Sequence, residues 1–170
     1  MNSKKNLVFL GMMGSGKSSI GYLVSKELDI KFNDIDKLVE DEMGTSISNI
    51  FNQKGEGYFR KLEEKITLKT LKIRKSVISL GGGGFLNTKI RKEIIDNHFS
   101  FWLNWNESTL LKRIKGSKKR PLVFKLTELG IKRLIKNRSK IYSKAQFKIN
   151  CNKYTKNEIV KKIIKIYELN

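Results

Sequence analysis

Short apolar runs alternate with segments of helical period along the chain. Asn6–Gly11 (NLVFLG) is apolar at nearly every position, as a strand buried on both faces requires. Lys17–Leu28 then places Ile20, Leu23, Val24 and Leu28 at helical spacing. Residues 30–34 (IKFND) predict a short second strand. Helical patterns follow at Lys37–Glu42, Ile47–Phe51 and Glu56–Leu71. Residues 76–84 (SVISLGGGG) predict a buried strand that ends in glycines, Thr88–Asn97 a helix, and residues 99–105 (FSFWLNW) another strand. Asn106 is placed to cap a helix running to about Ile114. Thr127–Lys140 has a helical pattern, and residues 147–151 (FKINC) give a last strand. Thr155 and Glu158 form a capping box for a final helix whose apolar face is Ile159, Val160, Ile163, Ile164 and Tyr167.

Apolar strands separated by helices predict an α/β fold: a central parallel sheet of about five strands with helices on both faces, a three-layer sandwich. The 170 residues suit a single domain spanning 1–170. Ligands of such sheets lie beyond the carboxyl ends of the strands. The glycine-rich and acidic clusters of this sequence fall there. Composition adds bounds. Hydrophobic residues are 39% and charged residues 31%, and no apolar run approaches the roughly 20 residues of a membrane helix. The apolar stretch near the N-terminus runs straight into a glycine motif rather than a cleavage site, so a cytoplasmic protein is expected. Cys151 is the one cysteine, which excludes an internal disulfide, and it is expected as a strand-end residue rather than a nucleophile.

The first strand leads into Gly11–Ser19 (GMMGSGKSS), which fits G-x-x-x-x-G-K-[ST] through Gly11, Gly16, Lys17 and Ser18. A strand before it and a helix after it are the context that the motif needs. Backbone N–H groups of such a loop turn inward around phosphate oxygens, and the helix that starts there adds its positive end. Gly14, Ser15, Gly16, Lys17, Ser18 and Ser19 are therefore the expected nucleotide-binding positions, with Lys17 a point charge on the outer phosphates and Ser18 a magnesium ligand. The motif alone does not choose a reaction. The one D-x-x-G match, Asp41–Gly44, closes a polar helical stretch, and N-K-x-D is absent, which argues against a GTPase.

Three further motifs point to an acceptor. Asp34 and Asp36 close the second strand. There one carboxylate can hold magnesium or its water while the other accepts a hydrogen bond from a hydroxyl, or the two can be a helix N-cap pair. Phe59, Arg60, Glu63 and Glu64 share one predicted helix, on which Arg60 and Glu64 stand at the spacing of an ordinary exposed ion pair. Gly81–Gly84 follow a strand directly and allow close backbone approach to a ligand.

Taken in order, the phosphate loop, DID, FR..EE, SLGGG, RPL and R..IY resemble the shikimate kinase family over almost the whole chain. The resemblance implies a P-loop kinase fold with a mobile lid at approximately 115–125. It implies transfer of the terminal phosphate of ATP to the 3-hydroxyl of shikimate, giving shikimate 3-phosphate and ADP, in aromatic amino-acid biosynthesis. Ser18 and Asp34 inherit the Mg2+ environment. Asp36 binds and orients the attacking hydroxyl. Arg60 and Arg138 clamp the substrate carboxylate, Glu63 braces Arg60, and Gly82 offers a backbone N–H. Phe51 and Phe59 look like aromatic walls of that pocket. Arg120, before the proline of the lid, closes on the phosphates, and Arg113 packs on the adenine. Lys17, Asp36 and Arg120 are thus the expected catalytic residues.

Net charge complicates the picture. The chain carries +20, all of it in residues 61–170, because residues 1–60 hold eight basic and eight acidic side chains. Such a surface favours anionic partners, although a composition rich in Lys, Ile and Asn with one Pro gives the same excess without any function. A nucleic-acid-binding ATPase would interleave basic and aromatic residues for stacking and phosphate tracking. Here the basic residues spread over predicted helices and the aromatics fall on core or pocket positions. A related kinase for gluconate or a nucleoside monophosphate would lack the paired arginines together with the glycine run. The expected partners are ATP and shikimate, with neither nucleic acid nor membrane, on a monomer. His98 has no cysteine or histidine near it in sequence and receives no metal role.

Overall fold

The run Leu7–Leu10 forms β1, the middle strand of a five-stranded sheet, and its four side chains are at most 1% exposed. The computed structural model describes residues 5–115 and 126–170. The lid expected at about 115–125 falls almost wholly outside the described residues, and Arg120 with it. The remaining strands are β2 (Lys31–Asp34), β3 (Ser76–Ser79), β4 (Phe99–Asn104) and β5 (Phe147–Asn150), in the spatial order β2-β3-β1-β4-β5. Every pairing is parallel. The helices are α1 (Lys17–Glu27), α2 (Ile35–Met43), α3 (Ile47–Leu71), α4 (Thr88–Asn97), α5 (Glu107–Lys115), α6 (Glu128–Tyr142) and α7 (Lys156–Glu168).

Period-two alternation sorts the strand residues into two cores. Leu7 and Phe9 join Val77, Phe101, Leu103 and Ile149 against Ile20 and Val24 of α1 and Ile159 and Ile163 of α7. Val8, Leu10, Ile78 and Trp102 face the other way, onto apolar residues of α2, α3, α4, α5 and α6. The expected three-layer sandwich is therefore present, with five strands. The outer strands differ from β1 in the way their sequences demand: Lys31 of β2 and Lys148 and Asn150 of β5 are exposed.

Local signals set most boundaries. Ser46 and Thr127 accept from the backbone at Asn49 and Gly130 and so start α3 and α6. Asn106 accepts from Thr109 N at 2.9 Å and opens α5. Both halves of the Thr155–Glu158 capping box are formed. The two helical patterns predicted at Ile47–Phe51 and Glu56–Leu71 are the two arms of α3, which bends at Gly55, where φ is 79° and an L side chain would be strained. One expectation fails. The strand drawn to Trp105 ends at Asn104, because the indole leaves the sheet for the phosphate loop. Among the described residues no helix is long and apolar enough to cross a membrane.

At the end of the sheet away from the glycine motifs, Asn6 ties several elements together. Its side chain donates to Leu71 O at 2.9 Å and accepts from Ser76 N at 3.0 Å and Ser76 Oγ at 3.1 Å. Its backbone N–H meets Nδ1 of buried His98. Truncation leaves these buried groups without partners, so Asn6→Ala is expected to lower unfolding free energy by about 2–4 kcal/mol in urea titrations. Turnover per folded molecule should stay unchanged.

Candidate active site

The carboxyl ends of β1, β2 and β3 bring the predicted motifs into one place. After β1 the loop from Gly11 winds to the N-terminus of α1 at Lys17. Lys17 is 8% exposed, and its ammonium donates to Gly11 O and Met12 O, both at 3.0 Å. The loop's next carbonyls are also taken from outside: Gly14 O accepts from Arg113 at 3.2 Å and Ser15 O from the Trp105 indole at 2.8 Å. Carbonyls drawn outward leave inward directions to N–H groups, the arrangement of an anion cradle.

After β2, Asp34 does two jobs. Its carboxylate accepts from Ser18 Oγ and, at 3.3 Å, from Lys37 N as the cap of α2. The cap reading holds for Asp34, and the same carboxylate also meets the Ser18 hydroxyl. Asp36, in the first turn of α2, makes no such cap. It is partly covered and lies beside Lys17 and close to other carboxylates. Burial, reinforced by Asp34, Glu63 and Glu40 and opposed by Lys17, pushes its carboxyl up to about 6.

After β3 comes the glycine run, and side chains crowd onto it. A Cβ on Gly81 would stand 2.5 Å from Asp36 Oδ1 and 2.6 Å from Glu63 Oε1. One on Gly83 would collide with the Arg60 guanidinium. Glycine at these positions is a requirement of close approach, not of turning. Arg60 is held by Glu63 at 2.6 Å and by Glu56 at 3.2 Å. Glu63 braces it as expected. Glu64 does not pair with it: Glu64 points to α4 and holds Asn87 and Lys89. The bend of α3 at Gly55 separates Phe51 from Phe59, yet their rings come back to 4.7 Å between centroids. The Arg60 guanidinium lies 5.0 Å from the Phe59 ring centroid.

Arg138 reaches the same strip from α6. It is 6% exposed and donates to Gly82 O at 3.1 Å, and among the described residues it forms no ion pair. A buried guanidinium without a counter-charge is costly, and an anionic ligand removes that cost. The Tyr142 hydroxyl also donates to Gly82 O, at 2.5 Å, and burial pushes this phenol up to about 12, so it stays a donor. Sequence reading named Tyr142 only as part of a motif and missed the role of Trp105 altogether. Cys151 is fully buried, with its thiol pushed up to about 12 by burial, and is no nucleophile.

A glycine loop closing on its own lysine, a half-buried carboxylate beside that lysine and, across a glycine strip, a buried guanidinium with no ion pair among the described residues make the chain a P-loop small-molecule kinase. A sequence model of the shikimate kinase family matches residues 13–168. The shikimate kinase of Sulfurihydrogenibium sp. (strain YO3AOP1) is 39% identical over 160 residues, 94% of this chain and 96% of that one. The crystal structure of shikimate kinase from Aquifex aeolicus superposes with a TM-score of 0.84 at 38% identity, covering 96% of both chains. Shikimate kinase from Acinetobacter baumannii, in complex with shikimate, gives a TM-score of 0.91 at 26% identity, covering 98% of this chain and 94% of that one. The chain belongs to the shikimate kinase family.

The raised Asp36 carboxyl has a consequence for the unliganded protein. A carboxyl that titrates near 6 when folded and near 3.8 when unfolded keeps its proton longer in the folded state. Its contribution to stability is therefore present below about pH 4 and is lost as pH rises through about 6. Asp36→Asn removes that loss. Its stability advantage over wild type should grow between pH 4 and 6 and level off at on the order of 2–3 kcal/mol, measured by paired denaturant titrations. A difference that is flat with pH would contradict the burial of this charge.

Proposed function

We propose that this protein transfers the terminal phosphoryl group of ATP to the 3-hydroxyl of shikimate, releasing shikimate 3-phosphate and ADP. The observation that carries this reading is the Arg138 guanidinium, buried without a counter-charge and separated from Arg60 by the glycine strip. Two guanidinium groups on one strip suit a planar carboxylate better than a sugar or a base. The solved relative that holds shikimate supports the choice of acceptor.

The roles follow from position. Amides of Gly14–Ser19 surround the phosphates, and Lys17 leaves its loop carbonyls to take the outer ones. Ser18 Oγ and Asp34 Oδ2, already in contact, are hard oxygen donors that would hold Mg2+ beside the nucleotide. When bound, that ion neutralises charge on the phosphates. Asp36 orients the 3-hydroxyl, Arg60 and Arg138 hold the carboxylate, and Gly82 offers backbone contact. As the hydroxyl oxygen bonds to the γ-phosphorus, the bond to the β,γ-bridging oxygen breaks, ADP departs, and the hydroxyl proton passes to Asp36. A carboxyl poised near 6 is charged at neutral pH yet basic enough to take that proton. Arg113 is assigned to the purine. Arg120 is assigned to the moving phosphoryl group on the sequence resemblance alone.

A coupled assay with ATP, magnesium and a panel of hydroxy acids tests the reading, with shikimate expected to be the preferred acceptor. Asp36→Asn should cut kcat at least tenfold to about a hundredfold, the worth of one charge-assisted hydrogen bond, with little change in ATP affinity. Arg60→Ala and Arg138→Ala should each raise the KM for shikimate and leave the KM for ATP nearly unchanged. Equal rises in both would mean that these arginines bind phosphate.

A further inference from the structure

Trp105 stands between the end of β4 and the start of α5, where its partly buried ring packs against the edges of both cores. Its indole N–H donates to Ser15 O at 2.8 Å across ninety residues of sequence. Its ring carries the Arg113 guanidinium, whose central carbon is 3.9 Å from the ring centroid. The same guanidinium donates to Gly14 O. The indole and the cation on it thus hold two consecutive carbonyls of the phosphate loop. The next residue is pinned as well: Asn106 N donates to the Asn152 side chain at 3.1 Å, beside the turn after β5.

We infer that Trp105 is a positioning residue for the nucleotide, fixing the phosphate loop and the Arg113 shelf as one rigid unit. The inference rests on the reading of this loop as the ATP cradle. In a trans peptide the C=O of one residue and the N–H of the next point in opposite directions. Holding Ser15 O outward therefore turns Gly16 N–H inward, toward the phosphates. Stacking on the indole leaves the outer face of the exposed Arg113 flat and available to a purine ring. Without the indole, a four-bond arginine side chain would have to be ordered by the ligand itself, at a cost in affinity.

The test separates the two contacts. Trp105→Phe keeps the stack and removes the donor; Trp105→Leu removes both. Titrating the full-length protein with ADP and magnesium, we expect Kd to rise about three- to tenfold for Trp105→Phe and about ten- to a hundredfold for Trp105→Leu. Arg113→Ala should cost less in the Trp105→Leu background than in wild type, since the shelf is already loose. The Kd for shikimate should remain within about twofold of wild type, a split between the two ligands that general loosening of the fold would not give. Wild-type tryptophan emission should change on ADP addition, and that change should vanish in Trp105→Phe, because Trp102 lies in the core. Unchanged ADP affinity in Trp105→Phe and Trp105→Leu overturns the inference, as does a parallel loss of ADP and shikimate affinity. A wild-type protein that binds ADP but does not phosphorylate shikimate would sink the proposed acceptor and leave the Trp105 result standing.

Discussion

The glycines at 81–83 are the constraint on which the rest of the site depends. Because they have no side chains, Asp36, Glu63, Arg60 and Arg138 all reach one strip of backbone at the end of β3. A Cβ on Gly81 or Gly83 would push apart groups that come from α2 and α3, and one on Gly82 would touch Arg138 of α6 at 3.4 Å. The strip gathers charges of both signs without letting them all neutralise one another. Glu63 is consumed by Arg60, and among the described residues Arg138 forms no ion pair while Lys17 is the cation beside Asp36. The charges gathered on the strip are thus incompletely matched on both sides. A ligand with a carboxylate at one end and a hydroxyl at the other completes the match.

That incompleteness has an energetic cost in the unliganded protein, and the sheet carries it. Both faces of β1 are packed, and its neighbours β3 and β4 are buried almost throughout, so the strand ends are held by two separate cores. The loops that leave those ends can then keep strained or poorly compensated groups. The opposite end of the sheet is arranged differently. There the Asn6 side chain satisfies buried backbone and hydroxyl groups of neighbouring elements. Stability and chemistry are thereby assigned to opposite ends of the same strands.

The strands, caps and phosphate loop were legible in the sequence because each is a short-range signal. Apolar runs, the Thr155–Glu158 box and the glycine–lysine motif need no knowledge of tertiary contacts. The acceptor residues became legible when several weak motifs were taken together in order. What stayed hidden depends on contacts distant in sequence. Glu64 has the right spacing to pair with Arg60, but Asn87 and Lys89 compete for it from another helix. Trp105 extends an apolar run and so looks like strand, until its N–H finds Ser15 O. Asp34 is another such case, since spacing alone does not show that the carboxylate capping α2 also meets Ser18 of the phosphate loop.

The central claim is that the two arginines across the glycine strip exist for a carboxylate. Calorimetric titration of the wild-type protein, in the presence of ADP and magnesium, with shikimate and with its neutral carboxamide tests this most directly. Losing the charge on the ligand removes charge-assisted hydrogen bonds worth about 1.5–3 kcal/mol each and leaves Arg138 unpaired again. The carboxamide should therefore bind about a hundredfold more weakly, or worse. Equal affinity for the two compounds would contradict the account.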